Sequence, residues 1–302
     1  MKAALPQGYG APTELPRDEH REQWQRENRA WWEANPMRYD WKEALAASEF
    51  SPAFYREIDR RFFDDASHYL PPRVRPFDRL IPFEQLSAWD VLEIGVGNGS
   101  HAELLAPHCR SYTGIDLTGY AVKSTATRLA MRTLPVRIVQ MDAEQMALAD
   151  ASFNFIWSWG VIHHSADTGR VLREMHRVLR AGGTATVMVY HRSWLYTYVY
   201  TGLLRGVFQA GLLRHNLHEL LQLNTDGAIA RFYQADEWLA LVRSCGFEVE
   251  HLQVMGQKSE VVLLPAGPIK NALTRVVPDT WSRFVTNSLR QGSFLVTRLR
   301  KR

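Results

Sequence analysis

The sequence predicts a doubly wound α/β fold, a mostly parallel seven-stranded sheet with helices on both faces, extended by N-terminal helices and two late insertions. Three observations lead there. Between residues 89 and 190, short continuous apolar runs alternate with helical patterns, as parallel strands buried on both faces require. A glycine-rich turn, Gly95-Val96-Gly97-Asn98-Gly99, stands between the first of these runs and the helix after it. An acid, Asp116, closes the second run about twenty residues further on.

Residues 1–88 read as a helical extension. Residues 1–16 hold Pro6, Pro12 and Pro16 among polar residues instead of a basic start and an apolar run, so no secretory segment is expected and the reading is cytoplasmic. Residues 17–35 carry Trp24, Trp31 and Trp32 near one helical face before Pro36, and a second helix is expected from Pro52 through Phe63 to the Pro71-Pro72 pair. The main domain spans 89–302. Strands are expected at 91–94, 112–115, 136–139, 153–157 and, after a Gly182-Gly183 turn, 184–189, with helices at 100–106, 119–131 and 168–179. A helix at 236–244 and strands at 247–254 and 293–299 complete the set of seven strands. Insertions at 191–230 and 256–291 exceed what such a sheet needs, and with the N-terminal helices they are expected to form a cap over an acceptor. Residues 194–213 approach the length of a membrane span, but Arg205 and the glycines at 202, 206 and 211 argue against one. Their apolar side chains need cover from an acceptor, a second subunit (a homodimer) or lipid, expected in that order.

Composition narrows the classes. Two distant cysteines, Cys109 and Cys245, without a CxxC or Cys/His spacing suggest neither a disulfide scaffold nor a metal site. The net charge of +4 is uneven, because Lys270, Arg275, Arg283, Arg290, Arg298, Arg300, Lys301 and Arg302 face Asp279 alone after residue 269. A solvated basic terminal strand is the preferred reading over contact with a membrane surface, nucleic acid or an acidic partner.

The chemistry concentrates at strand ends. Glycines after the first strand let the backbone approach a ligand closely, Asp116 can accept both hydroxyls of a ribose, and Asp142 after the third strand offers an acceptor to an adenine amino group. Ser100 stands where a dinucleotide GxGxxG turn would have glycine, and no second mononucleotide half follows, so one adenosine with a non-phosphate appendage is the expected ligand.

Residues 89–190, with the strands near 247 and 293, resemble the class I S-adenosylmethionine-dependent methyltransferases, specifically the small-molecule type 11 group. The resemblance rests on Val91-Leu92-Glu93-Ile94-Gly95-Val96-Gly97-Asn98-Gly99, Gly114-Ile115-Asp116, Phe153 to Trp157, Trp159-Gly160-Val161-Ile162-His163-His164 and Arg177 to Gly183. It implies S-adenosylmethionine as cofactor, with Gly95, Gly97 and Gly99 under its methionine and ribose parts and Glu93 at its amino end through water. It further implies that Asp116 takes the ribose hydroxyls, Leu117 lies on the adenine, and Asp142 with the backbone of Ala143 reads the adenine edge. Asn98 departs from the Cys, Ser or Thr common at that position. Ser158 to His164 should border the transferable methyl, where His163 or His164 is a candidate base for a small or medium apolar or aromatic acceptor. Tyr190 and His191 are further candidates for the acceptor wall.

Two rivals are weighed. A nucleic-acid methyltransferase fits the basic tail, but Ser158-Trp159-Gly160-Val161 replaces the Asn/Asp-Pro-Pro-aromatic sequence, and no Pro-Cys pair is present. A catalytically inactive, cofactor-binding scaffold subunit is disfavoured by the complete glycine turn and both acids.

Overall fold

A computed structural model describes residues 5–6, 9, 18–40, 43–132, 134 and 136–302. The proposed helix start at Arg17 and most of residues 1–16 lie outside them. In chain order the elements are α1 (Asp18–Ala34), α2 (Pro52–Tyr69), α3 (Phe83–Leu86), β1 (Asp90–Ile94), α4 (Ser100–Leu105), β2 (Ser111–Asp116), α5 (Gly119–Ala130), β3 (Val136–Gln140), β4 (Phe153–Trp159), α6 (Thr168–Val178) and β5 (Leu179–His191). Then follow α7 (Leu217–Leu223), β6 (Phe232–Tyr233), α8 (Ala235–Ser244), β7 (Phe247–Met255), α9 (Pro268–Val276), α10 (Asp279–Arg283) and β8 (Phe294–Lys301). Two helices with the wider π-type turn, Leu195–Phe208 and Phe284–Ser288, lie in the insertions.

The sheet runs β3-β2-β1-β4-β5-β8-β7, and the two-residue β6 adds an eighth strand beside the end of β5. β1 to β5 pair in parallel, while β8 runs antiparallel to both β5 and β7. Alternation along each strand splits the core. Val91, Phe155 and Trp157 pack under α2, α4 and α5, whereas Leu92, Ile94 and Ile156 pack with Val171 and Met175 of α6 and Trp238 of α8. Successive strands leave β1 in opposite directions, towards β2 on one side and β4 on the other, so a crevice opens at their carboxyl ends.

Two expectations change. The Gly182-Gly183 pair does not precede the fifth strand but lies inside it: Leu179 pairs with Phe153 and Thr184 with Phe155, so residues 180–183 bulge opposite Asn154. Gly182 takes a left-handed φ of +73°, and a Cβ on Gly183 would stand 2.9 Å from the Arg180 carbonyl oxygen, which explains the two glycines. The basic end forms a terminal strand, as expected, but one held inside the sheet instead of frayed, with Arg302 still largely exposed. β8 sits between β5 and β7, Arg298 and Arg300 pair with Glu250, Arg302 pairs with Glu248, and Lys301 donates to the Leu179 carbonyl at 2.8 Å. No helix among the described residues is long and apolar enough to cross a membrane.

Candidate active site

The crevice is a cavity of about 500 Å³ at the carboxyl ends of β1, β2 and β4, lined there by Gly95, Gly97, Asn98, Asp116 and Gly160. Its glycine turn is built on left-handed backbone, with φ of +81° at Gly95, +52° at Gly97 and +79° at Gly99. At Gly95 a side chain is excluded twice over, because a Cβ would also lie 2.2 Å from Val161 Cγ2. Gly97 instead faces open space. Around the turn, Arg128 donates to the Asn98 carbonyl at 3.3 Å and pairs with Asp59, Thr125 Oγ1 donates to the Gly97 carbonyl at 3.0 Å, and Asn98 Nδ2 donates to the Met37 carbonyl at 2.7 Å. These protein groups brace the loop from three sides.

Asp116 is poised in the same way. Its Oδ1 accepts from Thr118 N at 2.9 Å and Thr118 Oγ1 at 2.8 Å, and its Oδ2 from Gly97 N at 3.2 Å. Burial pushes its carboxyl above the usual range in spite of these donors. Asp142 Oδ1 accepts from Glu144 N at 2.8 Å and from Gln25 Nε2 at 2.9 Å. Leu117 and Ala143 also line the cavity.

The other implied cofactor residues stand back from the wall. Glu93 is buried and accepts from Tyr112 Oη at 2.5 Å, and burial raises its carboxyl to about 8. Ser158 donates across strands to the Ile94 carbonyl at 3.3 Å, and Gly99 caps the start of α4. Neither they nor Glu93 are among the lining residues.

The two histidines separate. His164 lines the cavity, and its Nδ1 lies 2.7 Å from the Ile229 carbonyl oxygen. A carbonyl only accepts, so Nδ1 carries a proton and donates it there. His163 is fully buried, makes no hydrogen bond through either ring nitrogen, and packs 4.0 Å from the Tyr190 ring. Burial first, then the charges of His164 and Arg231, hold it well below the usual imidazole range. Arg231 fixes the loop that carries both: its backbone N–H donates to the His163 carbonyl at 2.9 Å, and its guanidinium donates to the carbonyls of Ser165 and Ala166. Tyr190 lines the cavity, whereas His191 is buried against the Gly292 carbonyl at 2.8 Å and does not line it.

Sequence reasoning missed most of the remaining wall. Gln25, Asn28 and Trp32 come from one face of α1, and their spacing of three and four was a signal that could have found them. Gln25 bridges Asp142 and Ala166 N, and Glu33 of the same helix accepts from the first amides of α5, Gly119 N and Tyr120 N. Asn28 Oδ1 and His101 Nε2 are buried without a partner, and both residues line the cavity. His101 stands among the rings of Phe62, Phe77, Trp157 and Trp159, and burial lowers it to about 3, so it is neutral. Tyr39, Phe62, Asp65 and Tyr69 complete that side. From the 191–230 insertion only Asp226 reaches the wall, and from 256–291 only Gln257, so residues 194–213 do not roof this cavity.

Residues 92–187 match a family model described as a methyltransferase domain. A probable S-adenosylmethionine-dependent methyltransferase of Mycobacterium tuberculosis is 34% identical over 150 residues, 49% of this chain and 53% of that protein. The 27-O-demethylrifamycin SV methyltransferase of Amycolatopsis mediterranei is 35% identical over 127 residues, 40% of this chain and 47% of its own. A sterol 24-C-methyltransferase of Neurospora crassa aligns with 74% of this chain and 53% of its own length at 24% identity. The chain thus spans about half the length of the curated relatives it matches. The crystal structure of an S-adenosylmethionine-dependent methyltransferase from Mesorhizobium loti shares the fold at a TM-score of 0.50 and 16% identity, over 74% of this chain and 94% of that one.

Proposed function

We propose that this chain, whose residues 92–187 match a methyltransferase domain, is a class I, S-adenosylmethionine-dependent methyltransferase of the type 11 group that methylates a small or medium apolar or aromatic acceptor beside His164. The observation that carries this reading is the convergence of the glycine turn, Asp116, Asp142 and His164 on one cavity. The walls fit the cofactor: Gly97 leaves open the space a Cβ would fill, and buried Asn28 Oδ1 is an acceptor that meets no protein donor. Asp116 and Thr118 would hold the ribose, and Asp142, Ala143 and Leu117 the adenine. When bound, the cofactor supplies an electrophilic methyl carbon on a sulfonium.

The protein's own part is alignment, exclusion of water and removal of a proton. Trp159, Tyr190, Phe62 and Phe294 give an aromatic wall against which a flat or apolar acceptor can stack. His164 Nε2 would take the acceptor proton, while the Ile229 carbonyl holds Nδ1–H and stabilises the imidazolium that forms. Among the described residues the wall carries Asp65, Asp116, Asp142 and Asp226 but no Lys or Arg, so it repels phosphorylated or carboxylate acceptors and favours neutral or basic ones. The extension before residue 89, more than the two insertions, forms the cap in this reading, and relatives named for rifamycin and sterol methylation are consistent with an apolar acceptor.

Titration calorimetry with S-adenosylmethionine tests it. Micromolar binding is expected, and Asp116→Ala should weaken it by about one to two decades, the worth of lost charge-assisted hydrogen bonds. Absence of binding by the folded wild-type chain would overturn the reading, and unchanged affinity in a folded Asp116→Ala variant would remove that carboxylate from the site.

A further inference from the structure

Part of each insertion, residues 194–213 of the first and 269–289 of the second, displays large apolar side chains to solvent. The π-type helix Leu195–Phe208 buries Thr197, Thr201 and Gly206, at intervals of four and five residues, and the hydroxyls of both threonines find no partner inside. Its exposed residues are Trp194 just before it, then Tyr198, Leu203 and Val207, at intervals of four, five and four, with Phe208 beside Val207 at its end. Hydrogen bonds from i to i+5 widen the turn, so each set forms one stripe. An ordinary surface helix hides its apolar stripe, and this one hides its polar stripe. The second insertion repeats the inversion: Ser282 and Thr286 are buried, and Trp281, Phe284 and Leu289 are exposed. α9 buries no residue and shows Ile269, Leu273 and Val276, four and three residues apart, on one face. The two insertions touch, since the Lys270 ammonium lies 4.7 Å from the centre of the Tyr200 ring. Elsewhere among the described residues, Val74 and Met131 are the exposed large apolar side chains.

We propose that these inverted helices form a docking surface for an anionic lipid layer, on which the π-type helix and α9 lie in the interfacial plane. The charge of the same segments selects this occupant. Arg205 and Arg214 stand in a stretch, 192–218, without an acid, and Lys270, Arg275, Arg283 and Arg290 share their insertion with two acids, buried Glu260, which accepts from Ser293 N and Oγ, and Asp279, which Lys258 at 2.9 Å and His68 at 3.0 Å already engage. In a two-fold dimer through this face the same cations would meet one another, whereas anionic headgroups complement them. Apolar and aromatic side chains beside Lys and Arg are what an interfacial helix needs, and the absence of a spanning helix among the described residues leaves lying on the surface as the mode. The inference is independent of the methyl-transfer reading.

Sedimentation of the purified full chain with vesicles tests it. Binding is expected to vesicles of phosphatidylcholine containing phosphatidylglycerol, about tenfold or more above phosphatidylcholine alone, with release as salt rises. Joint replacement Phe208→Asp with Val276→Asp should lower that binding by about two decades, while melting temperature and S-adenosylmethionine affinity stay unchanged. Failure to sediment with either vesicle, or equal binding to both, would overturn the proposal. So would a concentration-dependent dimer by light scattering that the same double variant converts to monomer, since a second copy would then cover the face.

Discussion

The N-terminal extension and the two insertions are both rich in aromatic and aliphatic residues, yet they face opposite ways. α1 and α2 turn Trp24, Phe54, Ile58 and Phe62 inward, and Gln25, Asn28, Trp32 and Phe62 form cavity wall. The π-type helices of the insertions and their flanks turn Trp194, Phe208 and Trp281 to solvent and bury threonine, serine and glycine. Composition alone therefore identifies that a segment needs cover, and only geometry identifies what supplies it.

The largest effect that sharpens this contrast belongs to the inward side. His164→Gln should reduce turnover by about two to four decades, as for loss of a general base, with cofactor affinity retained. The same substitution at His163, which does not line this cavity, should change turnover far less, and steady-state kinetics on both would break the assignment if the two behave alike. Next comes Trp24→Ala. Trp24 is fully buried against Tyr9 and beneath the Arg231 guanidinium, so its loss should cost about 3 to 5 kcal/mol in calorimetric unfolding.

A smaller effect is pH-dependent. Glu93 keeps its proton up to about 8 in the folded chain, whereas an unfolded carboxyl loses it near 4.5, so the unfolded state binds fewer protons between these values and stability falls as pH rises through them. Glu93→Gln preserves an acceptor for Tyr112 and removes that slope. The ligand-free variant should melt higher than wild type at pH 8, by on the order of a few kcal/mol, with the difference fading towards pH 4.5. The smallest effect is on the outward side: Phe208→Ser, at 74% exposure, should shift unfolding by no more than about 0.5 kcal/mol. A large loss there would mean the helix is packed and not displayed.

What the sequence made legible follows its periodicity. Apolar runs in 89–190 end where β1 to β4 end to within two residues, because buried parallel strands leave an unbroken signal. The glycine turn, Asp116 and Asp142 were legible because short loops after parallel strands all open on one edge of the sheet. Three things were not. The Gly182-Gly183 bulge looks like a turn because a bulge and a turn ask the same of glycine. His101 and Asn28 reach the cavity through packing between elements distant in sequence. The outward stripe of 195–208 repeats at intervals of four and five, which a template of 3.6 residues per turn scatters around the helix.

β8 is synthesised after both of the strands it separates. Translation at roughly 5 to 20 residues per second puts roughly two to nine seconds between the end of β7 at Met255 and the end of β8 at Lys301. During that interval β5 has β4 on one side and, on the other, only the two-residue β6 at Tyr190 and His191. A nascent chain paused there would display a long, largely buried-type strand with its edge unpaired, open to chaperones or to pairing with a neighbouring polypeptide.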